Sequence, residues 1–189
     1  MDVFHPVDAS EVRRELGLEN KKVILFVASA WSMTKGLDKI LKLSDRLEKD
    51  ERILLVSNIF GEYSLNENIV SVPTTDSVEE LVNYYSLADV FIQPSMEETF
   101  GKVIAEAEAC GTPAVCFNMT ANPELVGENC GEAVAPGDID GLMLAIRRVL
   151  KNGKDAYSRR CRKFVTDNFN IEKSMEQYAA LFNEMLENK

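Results

Sequence analysis

Val23-Ile-Leu-Phe-Val-Ala28, Arg52-Ile-Leu-Leu-Val-Ser57, Val90-Phe-Ile-Gln93 and Ala114-Val-Cys-Phe117 are near-continuous apolar runs. A strand that alternates apolar and polar residues buries one face. A strand apolar at successive positions must bury both, as strands of a parallel sheet covered by helices do. Segments of helical period separate most of these runs. Regular alternation of buried strand and helix leaves few folds open, chiefly a doubly wound parallel sheet.

The remaining elements fit that frame. Asn68-Ile-Val-Ser-Val72 and Gly131-Glu-Ala-Val134 read as two shorter strands. A helix from about Lys35 points Leu37, Ile40, Leu41 and Leu43 inward. Ser77-Val-Glu-Glu80 is a capping box opening a helix through Leu81, Tyr84 and Tyr85. A helix from about Gly101 ends at Gly111, where Thr112-Pro113 forbids continuation. Pro123–Val126 reads as a short helix. Asp138 caps a helix with Leu142, Leu144, Ala145, Ile146 and Val149 inside, and helices around 156–168 and 171–187 close the chain. The predicted fold class is α/β: a Rossmann-like parallel sheet of about six strands, helices on both faces and C-terminal helices, in one domain over residues 1–189. Such sheets bind ligands at the carboxyl ends of their strands, where the crossover direction reverses. The loop of residues 29–36, after the first strand, is therefore expected to face the loop after the fourth strand across one crevice.

Composition excludes several functions. With 46% hydrophobic and 28% charged residues the chain is ordinary globular protein. Its formal charge of −10 disfavours nucleic-acid binding, which rewards basic surfaces. No apolar run reaches the roughly 18–20 residues of a membrane span, and no signal-peptide pattern opens the chain. One basic cluster stands out: Arg147, Arg148, Lys151, Lys154, Arg159, Arg160, Arg162 and Lys163. A solvated face on two helices is the favoured reading. Contact with anionic lipid or another acidic partner is the sharper one; the expected location is the cytoplasm, with peripheral contact at the inner membrane face open to the full-length protein. Cys110, Cys116, Cys130 and Cys161 are spaced too widely for a zinc knuckle or a redox pair, and read as reduced thiols. Neither a metal-ligand cluster nor a resident cofactor is expected. The single histidine, His5, has no nucleophile near it in sequence, which disfavours a Ser-His-Asp or Cys-His centre.

The most informative stretch runs from Pro94 to Pro113: PSMEETFGKVIAEAEACGTP. A strand delivers the chain into a loop with an acid, Glu98. Gly101 follows, then a helix carrying a second acid, Glu106. A helix start offers free N–H groups and the positive end of its dipole to a phosphate. Acids on either side can take sugar hydroxyls through charge-assisted hydrogen bonds. Together they suit both halves of a nucleotide sugar. Glu106 could also be an exposed acid paired with Lys102 at i,i+4.

Pro94, Ser95, Glu98, Phe100, Gly101, Glu106, Ala107, Gly111 and Pro113 closely resemble the donor-binding signature of the family-4 retaining glycosyltransferases, the group 1 transferases of GT-B fold. The resemblance extends from Phe4 to the last helix. It implies that Glu106 binds the ribose hydroxyls of a nucleotide. Glu98, the catalytic-site acid, would hold hydroxyls of the transferred sugar. Thr99, Phe100, Gly101, Lys102 and Val103 would offer backbone N–H groups to sugar and phosphate. Lys35-Gly36 resembles the family's Lys-Gly that neutralises the diphosphate, and Val72-Pro73-Thr74 matches where the base is sandwiched. Asn122-Pro-Glu124 resembles a downstream Pro-Glu element, although Glu124 also suits a helix start. The chain departs from the pattern in one respect. Ala30 and Thr34 stand where many relatives carry a phosphate-binding arginine.

Asp2-Val-Phe-His-Pro6 resembles the segment by which these enzymes enter their second domain. The expectation is a donor-binding half whose N-terminal, acceptor-binding partner domain is absent, so that the fragment binds donor without transferring sugar. In the full-length enzyme the reaction would be retaining, metal-independent transfer to a polysaccharide or glycolipid. Alternatives are a non-catalytic nucleotide-sugar-binding module, a sugar-nucleotide epimerase, and a sucrose- or glycogen-synthase-like enzyme.

Overall fold

A computed structural model describes residues 3–30, 32–59 and 63–187. Asp2 of the opening segment and Trp31 of the 29–36 loop lie outside the described residues. The elements run α1 (Ser10–Glu15), β1 (Lys22–Ala30), α2 (Leu37–Ser44), β2 (Glu51–Asn58), β3 (Ile69–Val72), α3 (Val78–Leu87) and β4 (Val90–Gln93). They continue α4 (Lys102–Ala109), β5 (Ala114–Phe117), α5 (Asn122–Leu125), β6 (Gly131–Val134), α6 (Ile139–Asn152), α7 (Asp155–Asn168) and α8 (Ile171–Glu187).

The six strands form one parallel sheet ordered β3-β2-β1-β4-β5-β6. The chain winds outward from β1 in one direction, returns, and winds outward from β4 in the other. The crossover direction therefore reverses between β1 and β4, opening a crevice beyond their carboxyl ends. Alternate residues of each strand enter opposite cores, because side chains switch faces at every step. Leu25, Val27 and Phe91 join Tyr85, Ile104 and Ala107 under α3 and α4. Ile24, Phe26 and Ile92 join Ile40, Leu142 and Ile146 under α2 and α6.

Caps follow the local chemistry. The Ser77 hydroxyl accepts from the Glu80 N–H at the start of α3 (3.3 Å), and the Asp138 carboxylate accepts from Gly141 N–H at the start of α6 (2.8 Å). Two details differ from the sequence reading. Leu144 is 57% exposed, while Met143 takes the inward position on α6. The helix turns about 100° per residue, so the buried arc of Leu142, Met143, Ala145, Ile146 and Val149 leaves Leu144 on the opposite, solvent side. Helix α1 was not foreseen. It spans only six residues and buries none, so its periodic signal is too brief to read.

Candidate functional site: a cleft at the reversal of winding

The loops after β1 and β4 are joined. Met96 N–H donates to the Thr34 carbonyl (3.2 Å), and the Ser95 hydroxyl to the same oxygen (3.3 Å). Gly36 caps α2 at φ 91°, and a Cβ there would stand 2.7 Å from the Pro94 carbonyl oxygen. Both the positive φ and the close approach demand glycine. Gly36 thus lets the Lys35 loop lie directly against the Pro94-Ser95 corner.

Across that junction, Lys35 Nζ donates to Glu98 Oε1 (2.7 Å). Gln93 Nε2 donates to the same oxygen (2.8 Å). With its side chain only 11% exposed, the Glu98 carboxylate is held from two sides on Oε1 while Oε2 is left for a ligand. Glu98 N–H donates to the Thr120 hydroxyl (3.2 Å). Thr120 itself sits at φ 48°. A β-branched residue there stores roughly 1–2 kcal/mol of strain, sustained by the packing of the loop.

Gly101 is the N-cap of α4 at φ 80°, and no side chain caps this helix. Ile104 N–H bonds back to the Gly101 carbonyl (2.9 Å), so the Lys102 and Val103 N–H groups are left for an incoming group. A Cβ at Gly101 would meet Leu125 and Asn122 at 3.1 and 3.2 Å, so the glycine serves packing as well as backbone approach. Further along α4, Glu106 Oε2 accepts from the Tyr85 hydroxyl (2.8 Å), and Oε1 lies 4.0 Å from Lys102 Nζ. Burial and the neighbouring Glu106 carboxylate push the Tyr85 phenol well above its ordinary range, so it stays a hydrogen-bond donor.

These groups line one continuous cleft. Its middle, about 370 Å³, lies between Ala28-Ser29 of β1 and residues 98–103. A lobe of about 360 Å³ opens past Thr34, Lys35, Glu97, Glu98 and Thr120. A lobe of about 290 Å³ opens toward Thr74, Thr75, Asp76 and Glu106. Lys35, Gly36, Glu98, Thr99, Phe100, Gly101, Lys102, Val103 and Glu106 thus come together, with Gly36 acting beneath the cleft rather than in its wall. Val72 does not line it. The last residue of β3 turns into the α3–α4 core, and Thr74–Asp76 form the wall instead. Phe100 is 48% exposed and packs edge-on to Phe169 with ring centroids 5.8 Å apart. Beyond it lies a mostly apolar hollow of about 380 Å³, walled by Phe4, Phe100, Val165 and Phe169, whose polar margin is formed by Lys102 and Glu106, shared with the cleft.

Sequence reasoning missed Gln93 and Tyr85 as partners of the two acids. Gln93 carried a signal, being a polar residue closing a strand that is buried throughout. Tyr85 carried none, since an aromatic on an amphipathic helix reads as core. Where the arginine of the signature would stand, Thr34 is tied to Ser32 and Met96. Among the described residues lining the cleft, Lys35 and Lys102 are the cations. The basic cluster is partly spent on local contacts. Arg147 meets Glu48, Arg148 meets Glu132, Lys163 meets Asp167, and half-buried Lys154 donates to the Ser86 carbonyl. No helix among the described residues is long and apolar enough to cross a membrane.

The expectation of no ligand cluster requires correction. Glu108, Cys130 and Cys161, far apart in sequence, meet in the interior. All four cysteines are buried free thiols.

Fold and cleft together define a doubly wound α/β domain with an uncapped helix start at its reversal point, flanked by two anchored acids. The sequence model of the family described as glycosyl transferases group 1 matches residues 8–167, and the chain belongs to that family. A D-inositol 3-phosphate glycosyltransferase of Mycobacterium sp. (strain KMS) is 29% identical over 168 residues, covering 81% of this chain and 38% of that protein. A sucrose-phosphate synthase from Thermosynechococcus elongatus superposes with TM-score 0.83 at 25% identity, covering all of this chain and 51% of its own. HepE of Anabaena, solved with UDP-glucose, gives TM-score 0.83 at 20% identity over 97% of this chain and 55% of its own, a likeness of fold. The chain thus spans 38–55% of the length of these relatives.

Proposed function

We propose that this chain is the donor-binding half of a retaining, family-4-type glycosyltransferase and holds a nucleoside diphosphate sugar in the cleft. One observation carries the reading: the uncapped start of α4 lies between two carboxylates, each held by a neighbouring side chain, Glu98 by Lys35 and Gln93 and Glu106 by Tyr85. The diphosphate would take the Lys102 and Val103 N–H groups, where the helix dipole favours negative charge. Glu106 would accept from the ribose hydroxyls, with the base in the Thr74–Asp76 lobe. Glu98 would accept from hydroxyls of the transferred sugar through Oε2. UDP-glucose in the HepE structure and the transferase name of the mycobacterial relative support a nucleotide-sugar ligand.

In transfer, bond breaking at the anomeric carbon puts negative charge on the leaving diphosphate. Fixed N–H donors aimed at that charge, with Lys35 and Lys102, stabilise it without reorganisation. The cleft would need no divalent ion for this. A second domain would supply the acceptor, a polysaccharide or glycolipid, in a cytoplasmic enzyme that can touch the inner membrane face. The second reading, a non-catalytic binding module, has one observation in its favour. The Lys35 ammonium is already committed to Glu98, and no arginine is among the described residues lining the cleft.

Calorimetry with UDP-, GDP- and ADP-sugars, without added divalent ion, tests the proposal. Binding of at least one is expected. Failure of all three, or binding that appears only when a divalent ion is added, overturns it. Efficient transfer by this chain alone to an added acceptor would overturn the assignment of the acceptor site to a second domain.

A further inference from the structure

Glu108 leaves α4 on the side away from the cleft. It meets Cys161 of α7 and Cys130, which immediately precedes β6. One carboxylate oxygen and the two sulfurs all lie within 4.8 Å of one another. The three residues are fully enclosed, at 0%, 1% and 0% exposure for Glu108, Cys130 and Cys161. Neither Glu108 oxygen has a hydrogen-bond partner. An interior carboxyl without partners is costly and rare. The thiols have only weak contacts. They meet each other, Cys161 Sγ approaches the Cys130 carbonyl at 3.4 Å, and Cys130 Sγ approaches the Glu128 carbonyl at 3.7 Å. The turn that brings Cys130 inward requires glycine, since a Cβ at Gly127 would stand 2.4 Å from the Phe164 ring and 2.9 Å from Cys130 Sγ.

We propose that Glu108, Cys130 and Cys161 form a buried structural site for a thiophilic divalent cation of the zinc type, separate from the cleft. Two sulfurs and one carboxylate oxygen suit zinc, and its fourth position can be filled by a water or by the second Glu108 oxygen. Around tetrahedral zinc, ligand atoms stand roughly 3.5–3.8 Å apart, so the site closes if the three draw together by at most about 1 Å. Such a shift is within the reach of side-chain rotation. Binding is balanced as one divalent cation taken up and three protons released, two from thiols and one from the carboxyl. The remaining single negative charge is eased by Arg160, whose charge acts on Cys130. The metal would staple α4, which carries the anion-binding helix start and Glu106, to α7 and to the turn before β6.

Titration of the metal-free chain with Co²⁺ tests the proposal, with the metal content of freshly purified protein measured alongside. One equivalent of Zn²⁺ per chain, or one equivalent of Co²⁺ giving a sulfur-to-cobalt charge-transfer band and a raised melting temperature, is expected. Cys116→Ala should keep the band, while Cys130→Ala and Cys161→Ala should each remove it. The unmutated chain decides even where a variant fails to fold. Less than a tenth of an equivalent bound with no thiolate band overturns the proposal. So does loss of two reactive thiols in untreated protein by formation of a Cys130–Cys161 disulfide. A band that survives Cys161→Ala overturns it as well.

Discussion

Glu106 and Glu108 lie two residues apart on α4, on nearly opposite sides of the helix, and their surroundings have little in common. Glu106 opens to the cleft with 15% of its side chain exposed and is anchored by the Tyr85 hydroxyl. Glu108 is sealed between α4 and α7 against two thiols, with both oxygens unpartnered. Burial pushes its carboxyl up to about 10, with a smaller contribution from Cys130, and the nearby Gly127 N–H only partly opposes this. The same side chain is thus a ready acceptor on one face of a helix and a neutral, strained group on the other. Position on the helix, not residue type, decides which chemistry a glutamate can do.

The largest effect expected from challenging this contrast is on Glu108. In metal-free protein Glu108→Lys places an unpaired cation in an enclosed interior, and should cost about 3–5 kcal/mol of stability, read by urea unfolding. Glu108→Leu removes the unpartnered group while keeping its volume, and should be neutral or stabilise the metal-free chain by about 1–2 kcal/mol. If Leu destabilises as much as Lys, Glu108 has partners that the contrast denies it.

Next in size is a dependence on pH. The folded carboxyl of Glu108 titrates near 10 and the unfolded one near 4.5, so across that window the native state binds one more proton. Stability of the metal-free chain should therefore fall as pH rises, by up to about 1.4 kcal/mol per pH unit between pH 6 and 8. Lys154, lowered by burial to about 8, acts in the opposite sense only above that pH. Glu108→Leu should flatten the slope, and Glu106→Gln should leave it unchanged. Equal slopes in parent and Glu108→Leu, from unfolding curves at several pH values, would remove the basis of the contrast.

On the cleft side the effects fall on binding. Glu106→Gln should weaken free nucleoside diphosphate and nucleotide sugar alike by roughly tenfold or more, since one charged hydrogen-bond acceptor is worth about 1.5–3 kcal/mol. Glu98→Gln should weaken the sugar nucleotide by a similar factor and spare the free diphosphate. Both should stay folded by circular dichroism, because the amide oxygen that Glu106→Gln introduces can still accept from Tyr85. Calorimetry showing no difference between the two variants would merge the proposed ribose and sugar positions. The smallest effect is expected from Tyr85→Phe. It should lose about 1 kcal/mol of stability and a few-fold in nucleotide affinity by freeing the Glu106 carboxylate. Affinity equal to the parent's would mean that Tyr85 does not position Glu106.

The strands were legible because a strand buried on both faces has to be apolar throughout, and that demand is written in consecutive residues. Alternation pointed to a doubly wound sheet, and the usual order of such sheets placed β4 beside β1 with their loops meeting. Glu98, Gly101, Lys102, Val103 and Glu106 were found as one segment for the same reason: a single strand-loop-helix unit holds them. Leu144 was misplaced because the run 142–146 is apolar all round the helix, and packing against the sheet decides which arc turns inward. Val72 was misplaced because the side to which the end of an isolated short strand turns depends on its neighbours in the sheet.

Local sequence thus determined the Rossmann-like sheet, the caps and the order of the donor loop, since each rests on contacts within a turn or on period and patterning. Tertiary structure alone decided what surrounds the acids. Lys35 and Glu98 meet across 63 positions, Tyr85 and Glu106 across 21. Glu108, Cys130 and Cys161 converge from a helix, a turn and a second helix. No periodicity encodes such meetings. They follow from which helix faces the close packing of the sheet presses together, and that is settled only when the whole chain is folded.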